Sequence, residues 1–151
     1  NFYFNYFTTN FDLRNFNLFM KKKILCLAFL LLTNCSYQNC GELKFDKKSR
    51  TTFLNNKPFT GKCDSFYYSG DLRSQEEYLN GKDHGSWSFF FKNGSIQTKG
   101  VFEKGLRIGK WEYFFENKNV WKTNFYDTSG FKIGTWKEYD ENGNLIKEKK
   151  Y

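Results

Sequence analysis

The sequence predicts an all-β fold built from repeated β-hairpins. Residues 35–151 contain no Ala or Met and only 6 Leu, 4 Ile and 2 Val, against 24 aromatic residues. Aromatic side chains favour strands, and the strongest helix formers are missing. Glycines recur at a fixed spacing, and Asn-Gly dipeptides, which are typical of tight hairpin turns, separate the aromatic segments.

Composition excludes several classes of protein. The chain has 151 residues, a formal net charge of +8 and 26% charged residues, with a mean hydropathy of −0.74. These values exclude a polytopic membrane protein, and 22% aromatic content argues against a disordered chain. Four cysteines are too few for a dense disulfide scaffold, and a single His without a Cys-x-x-Cys pair excludes the common zinc spacings.

The first 34 residues fall into two segments. Residues 1–19 hold 8 aromatic residues and 5 Asn and match nothing downstream. Met20 is followed by three lysines and by a nine-residue apolar stretch over 24–32, which is too short to span a bilayer and is typical of a secretory signal. We expect residues 20–34 to be a signal peptide and residues 1–19 to be non-native upstream translation. A genuine N-terminal strand or helix is the alternative.

The end of this segment, Leu32-Thr33-Asn34-Cys35, resembles the lipobox of bacterial lipoproteins, Leu-x-x-Cys. In that family the Cys is the first mature residue and carries the lipid, so the resemblance implies lipidation of Cys35 and anchoring in a membrane. Asn34 stands where the family has Gly, Ala or Ser. Plain secretion is the alternative. Residues 35–50 are expected to form a tether.

A repeat organises the rest of the chain. Gly61, Gly85, Gly109 and Gly134 are 24, 24 and 25 residues apart. Bulky residues recur at fixed offsets from these glycines, including Cys63, Trp87, Trp111 and Trp136 at the second position and Tyr78, Phe102, Tyr126 and Tyr151 at the seventeenth. The spacing predicts four units, at about 61–84, 85–108, 109–133 and 134–151, preceded by a degenerate half-repeat that begins near residue 51.

Each unit is predicted to be one hairpin. In the second unit, a first strand over 87–91 precedes Asn93-Gly94, and a second strand runs over 96–102. Asn93-Gly94 and Asn142-Gly143 are typical of type I′ turns, whose two central residues both have positive φ. Lys118 replaces the turn glycine in the third unit.

The repeated pattern G-x-W-x-x-F/Y, then N-G-x-I/L, then F/Y-x-x-G resembles the bacterial second variant of the MORN repeat over residues 51–151. The resemblance implies an elongated single-layer antiparallel meander with one β-hairpin per repeat. It also implies an interaction module without catalytic residues. Membrane and lipid association has been proposed for some members of the family. Some bacterial relatives carry the label of YwqK-type antitoxin components.

No catalytic constellation accompanies the repeat. His84 occupies a repeat loop position and has no second His or thiolate at ligand spacing. The adjacent carboxylates Glu76-Glu77 and Asp140-Glu141 are expected on opposite faces of their strands, so neither pair can act as an acid and base together. Sequence motifs for nucleophilic hydrolysis and for phosphate or dinucleotide binding are missing. We therefore predict no enzyme activity, no cofactor and no metal site.

One face of the two central hairpins carries the candidate binding site. Alternation along the strands places six aromatic residues on it: Trp87, Phe89, Phe91, Trp111, Tyr113 and Phe115. An exposed patch of this kind is typical of an interaction surface, with Phe89 and Tyr113 as the contact residues. The alternative is that the rings form cross-strand ladders that hold the sheet together.

Cys40 and Cys63 are the other two cysteines of the mature chain. An oxidising envelope permits a disulfide between them. Since Cys63 stands at a Trp position of the repeat, a small buried free thiol is an equal alternative.

These observations predict a non-catalytic envelope lipoprotein that binds a protein or membrane partner. The basic residues of 35–151, 20 against 15 acidic ones, are scattered rather than clustered, so we expect no nucleic-acid partner. A periplasmic or secreted protein is one alternative. Another is a cytoplasmic antitoxin-like or immunity module that binds a cognate toxin, if residues 20–34 are not a signal peptide.

Overall fold

The computed structural model describes residues 38–151. The predicted upstream segment, signal peptide and lipidated Cys35 lie outside these residues. Within the described part, no helix has the length and apolar character needed to cross a bilayer.

The structure confirms an all-β antiparallel meander of hairpins. Residues 38–151 form thirteen strands: β1 (Gln38–Asn39), β2 (Lys44–Asp46), β3 (Thr51–Leu54), β4 (Lys57–Pro58), β5 (Gly61–Phe66), β6 (Leu72–Leu79), β7 (Lys82–Asp83), β8 (Gly85–Phe90), β9 (Ile96–Glu103), β10 (Leu106–Phe114), β11 (Val120–Tyr126), β12 (Lys132–Tyr139) and β13 (Leu145–Lys150). Strands β5 to β13 carry the repeats. Together with β1 they form one sheet in the order β1-β5-β6-β8-β9-β10-β11-β12-β13, in which β7 pairs with β6. Strands β2, β3 and β4 form a second, small sheet.

Four antiparallel hairpins follow one another in the large sheet. The four hairpins are β5–β6, β8–β9, β10–β11 and β12–β13. In every one, the first strand begins at the repeat glycine or within three residues of it, and the second strand ends within one residue of the closing aromatic residue. The register therefore places corresponding side chains on the same face of successive hairpins.

The turns within the units differ from the prediction. Asn93-Gly94 is not a type I′ turn, because Gly94 has φ +79° while Asn93 is not among the residues of positive φ. The N–H of Gly94 donates to the carbonyl of Phe91, and the N–H of Phe91 donates to the carbonyl of Ser95. This pattern is that of a type I turn followed by a glycine bulge. Asn93 acts through its side chain, whose Oδ1 accepts from the N–H of Ser95 at 2.9 Å.

The turn at Asn142-Gly143 follows the same hydrogen-bond pattern. Two-residue turns with both central φ angles positive occur instead at the opposite end of the strands, at Asn55-Asn56, Asn80-Gly81 and Lys104-Gly105. The turns that join β3 to β4, β6 to β7 and β9 to β10 are therefore of type I′.

Residues 38–46, which the sequence assigns to a tether, are ordered against the repeat array. β1 pairs in parallel with β5, and a 3-10 turn over Cys40–Glu42 follows it. β2 then pairs with β3. The sequence shows no periodicity here because the strands are only two or three residues long, and the partner of β1 is distant in the chain.

The core lies at this N-terminal end of the sheet. It consists of Phe59, Cys63, Tyr78 and Trp87, against which Leu43, Leu54 and Phe102 pack from the sides. Since a single-layer sheet has no second layer to cover it, burial depends on aromatic side chains that cover one another.

Candidate binding face

The aromatic face is the side of the sheet that bears Trp87, Phe89, Trp111 and Tyr113. Phe102 lies between the two tryptophans, with ring centroids 5.0 Å from Trp87 and 4.9 Å from Trp111. Tyr78 contacts Trp87 on its other side at 5.3 Å. The rings thus alternate between strands and form a continuous edge-to-face row.

Each repeat tryptophan is also fixed by its indole N–H. The acceptor is always the carbonyl that precedes the closing aromatic residue of the previous unit: Trp87 donates to Glu77 at 2.9 Å, Trp111 to Val101 at 3.2 Å and Trp136 to Phe125 at 3.1 Å. An indole that packs among neighbouring rings and donates its N–H to the backbone is a structural element. The tryptophans at the second position of the repeat therefore hold neighbouring hairpins together.

Gly100 explains how the most buried indole fits. Trp111 is 1% exposed, and a Cβ at residue 100 would clash with its ring. Gly100 is one of two glycines outside the repeat registers. A glycine inside a strand often marks a place where another group approaches the backbone closely.

The structure separates the six predicted face residues into two groups. Trp87 and Trp111 are buried, whereas the other four are half-buried: Phe89, Phe91, Tyr113 and Phe115. Phe89 packs on Trp87 at 6.0 Å, beside the core. The hydroxyl of Tyr113 accepts a hydrogen bond from Arg107 Nη1 at 3.4 Å. Burial raises the pKa of Tyr113. That Phe89 and Tyr113 contact a partner stays a prediction.

Trp121 is the residue that sequence reasoning missed. It is 44% exposed and contacts the rings of Tyr113 at 6.1 Å and Phe115 at 6.2 Å. Its indole N–H has no hydrogen-bond partner within residues 38–151. The sequence contained a signal, because Trp121 is the one tryptophan that does not stand at the second position of the repeat. At the position of Trp121, the other three units have Arg73, Gln97 and Ile146.

Trp121 lines an open groove of about 510 Å³ at the turn end of the central hairpins. Phe91 and Phe115 supply further aromatic surface, and Glu116 and Glu141 supply negative charge. This groove brings together two of the six predicted residues with Trp121.

The charge of the aromatic face changes along the array. In the first hairpin, Glu76 accepts hydrogen bonds from Ser74 and from the hydroxyl of Tyr78, both at 2.7–2.8 Å. Burial, together with the nearby Glu76 carboxylate, raises the pKa of Asp83, and the same two causes raise the pKa of Tyr78.

In the last hairpin the corresponding positions are basic. Lys147 and Lys149 replace Ser74 and Glu76, and Lys132 replaces Asp83. Lys132 Nζ lies 4.7 Å from the Trp136 ring, a cation–π geometry. The face is therefore acidic and enclosed at the N-terminal end and basic and open at the other.

The opposite, charged face is the side that bears Lys99 and Glu112. Lys99 Nζ lies 3.2 Å from a Glu112 oxygen, and Lys110 bonds the same carboxylate at 2.6 Å. Glu77, paired with Lys62 at 3.7 Å, lies on this face while Glu76 lies on the other. Asp140 belongs to a turn, where its Oδ1 accepts from the N–H groups of Asn142 and Asn144.

The described residues bring three potential metal ligands together, Cys40, Cys63 and Glu76. Both sulfurs form a disulfide, with a Cα–Cα distance of 5.1 Å, so a single carboxylate is left. His84 Nδ1 is buried without a hydrogen-bond partner in residues 38–151. Within residues 38–151, neither the Glu76 carboxylate nor the His84 imidazole lies with the free thiolates or second imidazole that a zinc site needs.

Comparison with protein families matches this chain at two places. The MORN repeat variant matches residues 83–104 and 132–151, which are the second and fourth hairpins. MORN repeats are generally non-catalytic repeat modules. No curated protein matches the chain significantly.

Solved structures give distant likenesses. One is a GtfA/B complex bound to UDP and GlcNAc, with 16% identity, 56% of this chain and 21% of that chain covered, and a TM-score of 0.31. Another is a mutant of S. aureus TarM in complex with fondaparinux, alpha-GlcNAc-glycerol and UDP, with 12% identity, 82% and 22% coverage and a TM-score of 0.39. This chain spans about a fifth of the length of each.

Proposed function

We propose that the chain is a non-catalytic repeat scaffold of the bacterial cell envelope that binds a partner protein through the groove at Trp121. The observation that carries this proposal is the contrast among the tryptophans. The three tryptophans in the repeat register donate their indole N–H to the backbone. Trp121 lies outside the register and is exposed. Its indole N–H has no hydrogen-bond partner within residues 38–151 and can donate to a ligand.

The surroundings of Trp121 suit recognition. An exposed Trp offers a large contact area at a low cost in side-chain entropy, and tryptophans are enriched among the residues that dominate binding energy. The rings of Tyr113 and Phe115 both pack against the indole. Because the groove is built on paired strands, little reorganisation opposes binding.

The cysteines support the proposed compartment. The disulfide between Cys40 and Cys63 favours an oxidising environment. This supports export, in keeping with the signal-like segment 20–34 and the lipobox-like Cys35. It supports an envelope lipoprotein over a cytoplasmic antitoxin-like module.

The binding groove is tested by cross-linking. A photoreactive amino acid at Gln97, which lines the groove, should trap a defined partner in cells. Binding of that purified partner should then fall about tenfold or more in Trp121→Ala, since exposed aromatic anchors contribute at least this much. Tyr68→Ala is the matched control, because Tyr68 is fully exposed in the turn of the first hairpin. Equal loss in both variants, or none in either, would contradict the assignment.

The anchor is tested by Cys35→Ala. Labelling by a fatty-acid probe should disappear, and the protein should leave the membrane fraction. Labelling that persists in the variant would mean that another residue carries the lipid and would contradict lipidation of Cys35.

A further inference from the structure

The groove at Trp121 is lined by negative charge without positive charge. Glu116 and Glu141 line it, and both are exposed. Neither carboxylate lies within 4.0 Å of a Lys, Arg or His nitrogen in residues 38–151. A second groove of about 340 Å³, which shares Phe114 with the first, is lined by Lys99 and Lys118 and by no carboxylate. The two signs of charge are therefore separated, and the groove at Trp121 complements a cationic ligand.

Hydrogen bonds between successive hairpins hold both acidic residues in place. The Ser95 hydroxyl, in the second hairpin, donates to the Glu116 carbonyl at 3.4 Å. Asn119 Nδ2, in the third hairpin, donates to the Glu141 carbonyl at 2.7 Å. In each case the turn of one hairpin fixes the backbone of the acidic residue in the next. The carboxylates are therefore presented to a ligand with little cost of ordering the chain.

The first hairpin shows what can lie beside an aromatic ring at the turn end. Three units carry such a ring at the sixth position after the repeat glycine: Tyr67, Phe91 and Phe115. Lys92, at the seventh position of the second unit, places its Nζ 5.9 Å from the centroid of the Tyr67 ring, a cation–π distance. The next two units have Glu116 and Glu141 at the position of Lys92. The chain thus supplies its own cation at Tyr67, whereas in the groove at Trp121 it supplies carboxylates.

Trp121 brings an exposed indole to this acidic groove. Its side chain is 44% exposed, and among aromatic rings the indole attracts cations best. An Arg guanidinium stacks flat on such a ring and donates paired hydrogen bonds to carboxylates. The indole N–H, which has no hydrogen-bond partner within residues 38–151, can donate to a main-chain carbonyl of the same ligand. An Arg residue in an extended peptide supplies both the cation and the acceptor.

We propose that the groove at Trp121 binds a basic, extended segment of the partner protein and places an Arg side chain against the indole, with Glu116 and Glu141 as the opposite charges. This inference rests on the proposed function and names the chemistry of the partner at the same site. A segment of this kind gains cation–π attraction and charge-assisted hydrogen bonds together.

The test follows the indole N–H signals of the four tryptophans in the isotope-labelled full chain by NMR. The probe is the peptide acetyl-Gly-Arg-Gly-Arg-Gly-amide, and its matched control carries citrulline, which has the shape of Arg without the charge. The Arg peptide should shift the Trp121 signal saturably in the millimolar range. The signals of Trp87, Trp111 and Trp136 should stay in place, because their N–H groups are bonded to the backbone. The citrulline peptide should bind about tenfold more weakly.

A pair of double variants tests the carboxylates. Glu116→Gln with Glu141→Gln keeps the shape of both side chains and removes their charge, so the Arg peptide should bind about tenfold more weakly. The charge-matched control, Glu42→Gln with Glu148→Gln, changes two exposed residues that do not line the groove and should leave the affinity unchanged. If the first double variant fails to fold, the comparison of the Arg and citrulline peptides on the natural chain decides the same point.

Three outcomes overturn the proposal: equal affinity for the Arg and citrulline peptides, equal loss in both double variants, or a Trp121 signal that the Arg peptide does not move. An equal shift with tetramethylammonium chloride would assign the groove to a quaternary ammonium group, and a Trp121 signal that moves with protein concentration alone would assign it to a second copy.

Failure of this inference differs from failure of the proposed function. If the partner trapped at Gln97 requires Trp121 but binds the Glu116/Glu141 variant with full affinity, the groove is the partner site and only its preference for a cation is wrong.

Discussion

The first and last hairpins are built from the same repeat, yet only the first is enclosed. In β5–β6, Cys63 is fully buried and Ser74 is 1% exposed. In β12–β13, no residue is buried and β13 is exposed throughout. The repeat register thus sets which face a side chain takes, but not how deeply it is buried.

The difference arises from what lies beside each hairpin. At the N-terminal end, β1 pairs with β5, a disulfide joins Cys40 to Cys63, and the small sheet bonds to the array through Thr52, whose N–H donates to Gly81 at 2.8 Å. In the last hairpin, the ring of Trp136 contacts those of Tyr126 and Tyr151, and Lys132 Nζ lies 4.7 Å from it, but the ring stays half-buried. Since each unit contacts only its neighbours, a hairpin with a described neighbour on one side alone has a less complete core.

The largest expected effect compares two tryptophans of the same register. Trp111→Ala should lower the free energy of unfolding by about 3–5 kcal/mol, because it empties a fully enclosed site. Trp136→Ala should cost about 2 kcal/mol or less, because its ring is half-buried and the last hairpin can relax. Chemical denaturation followed by circular dichroism measures both values. Equal costs would mean that the open end is as well packed as the centre.

The disulfide gives the next largest effect, and it concerns the closed end alone. It closes a loop with a sequence separation of 23, for which the chain-entropy account predicts about 3 kcal/mol. Cys40→Ser should therefore shift the denaturation midpoint downward. Reductant should produce the same shift in the natural chain and none in the variant. A reductant effect that persists in Cys40→Ser would mean that another bond is responsible.

The repeat could be predicted because its signals are local and recur four times. Glycine spacing and strand alternation were enough to identify the hairpins and the faces. The turn type was predicted wrongly because Asn-Gly is compatible with two geometries. Here the Asn93 side chain accepts hydrogen bonds from Ser95, which stabilises the type I turn with a bulge.

The pairing of β1 and the burial of the two predicted tryptophans required information that a pattern does not contain. Pairing of β1 with β5 depends on a contact between Gln38–Asn39 and residues 63–64, and two-residue strands leave no periodic signal. The predicted binding face included two tryptophans whose burial depends on Phe102 from a neighbouring strand. Trp121 differed from them only by its position outside the repeat register.

The smallest expected effect concerns Lys118, which lies in the turn of the third hairpin. Its φ is +71°, in the left-handed region that the turn glycines of the other units occupy. The turn is otherwise the same, since the N–H of Lys118 donates to the carbonyl of Phe115 at 3.0 Å. Asn117 and Asn119 also donate to the Glu141 carbonyl, at 3.1 and 2.7 Å, which ties this turn to that of the last hairpin.

A left-handed conformation costs a non-glycine residue about 1–2 kcal/mol, and glycine loses about 0.5–1 kcal/mol more conformational entropy on folding. Lys118→Gly should therefore raise the free energy of unfolding by about 0.5–1 kcal/mol. Gly94→Lys is the reciprocal control, because Gly94 has φ +79° and open space where a Cβ would lie; it should cost a similar amount. If Lys118→Gly is neutral while Gly94→Lys is costly, the contacts of Asn117 and Asn119 with the last hairpin compensate the strain at Lys118. The last hairpin would then be stabilised through its turn rather than through its aromatic rings.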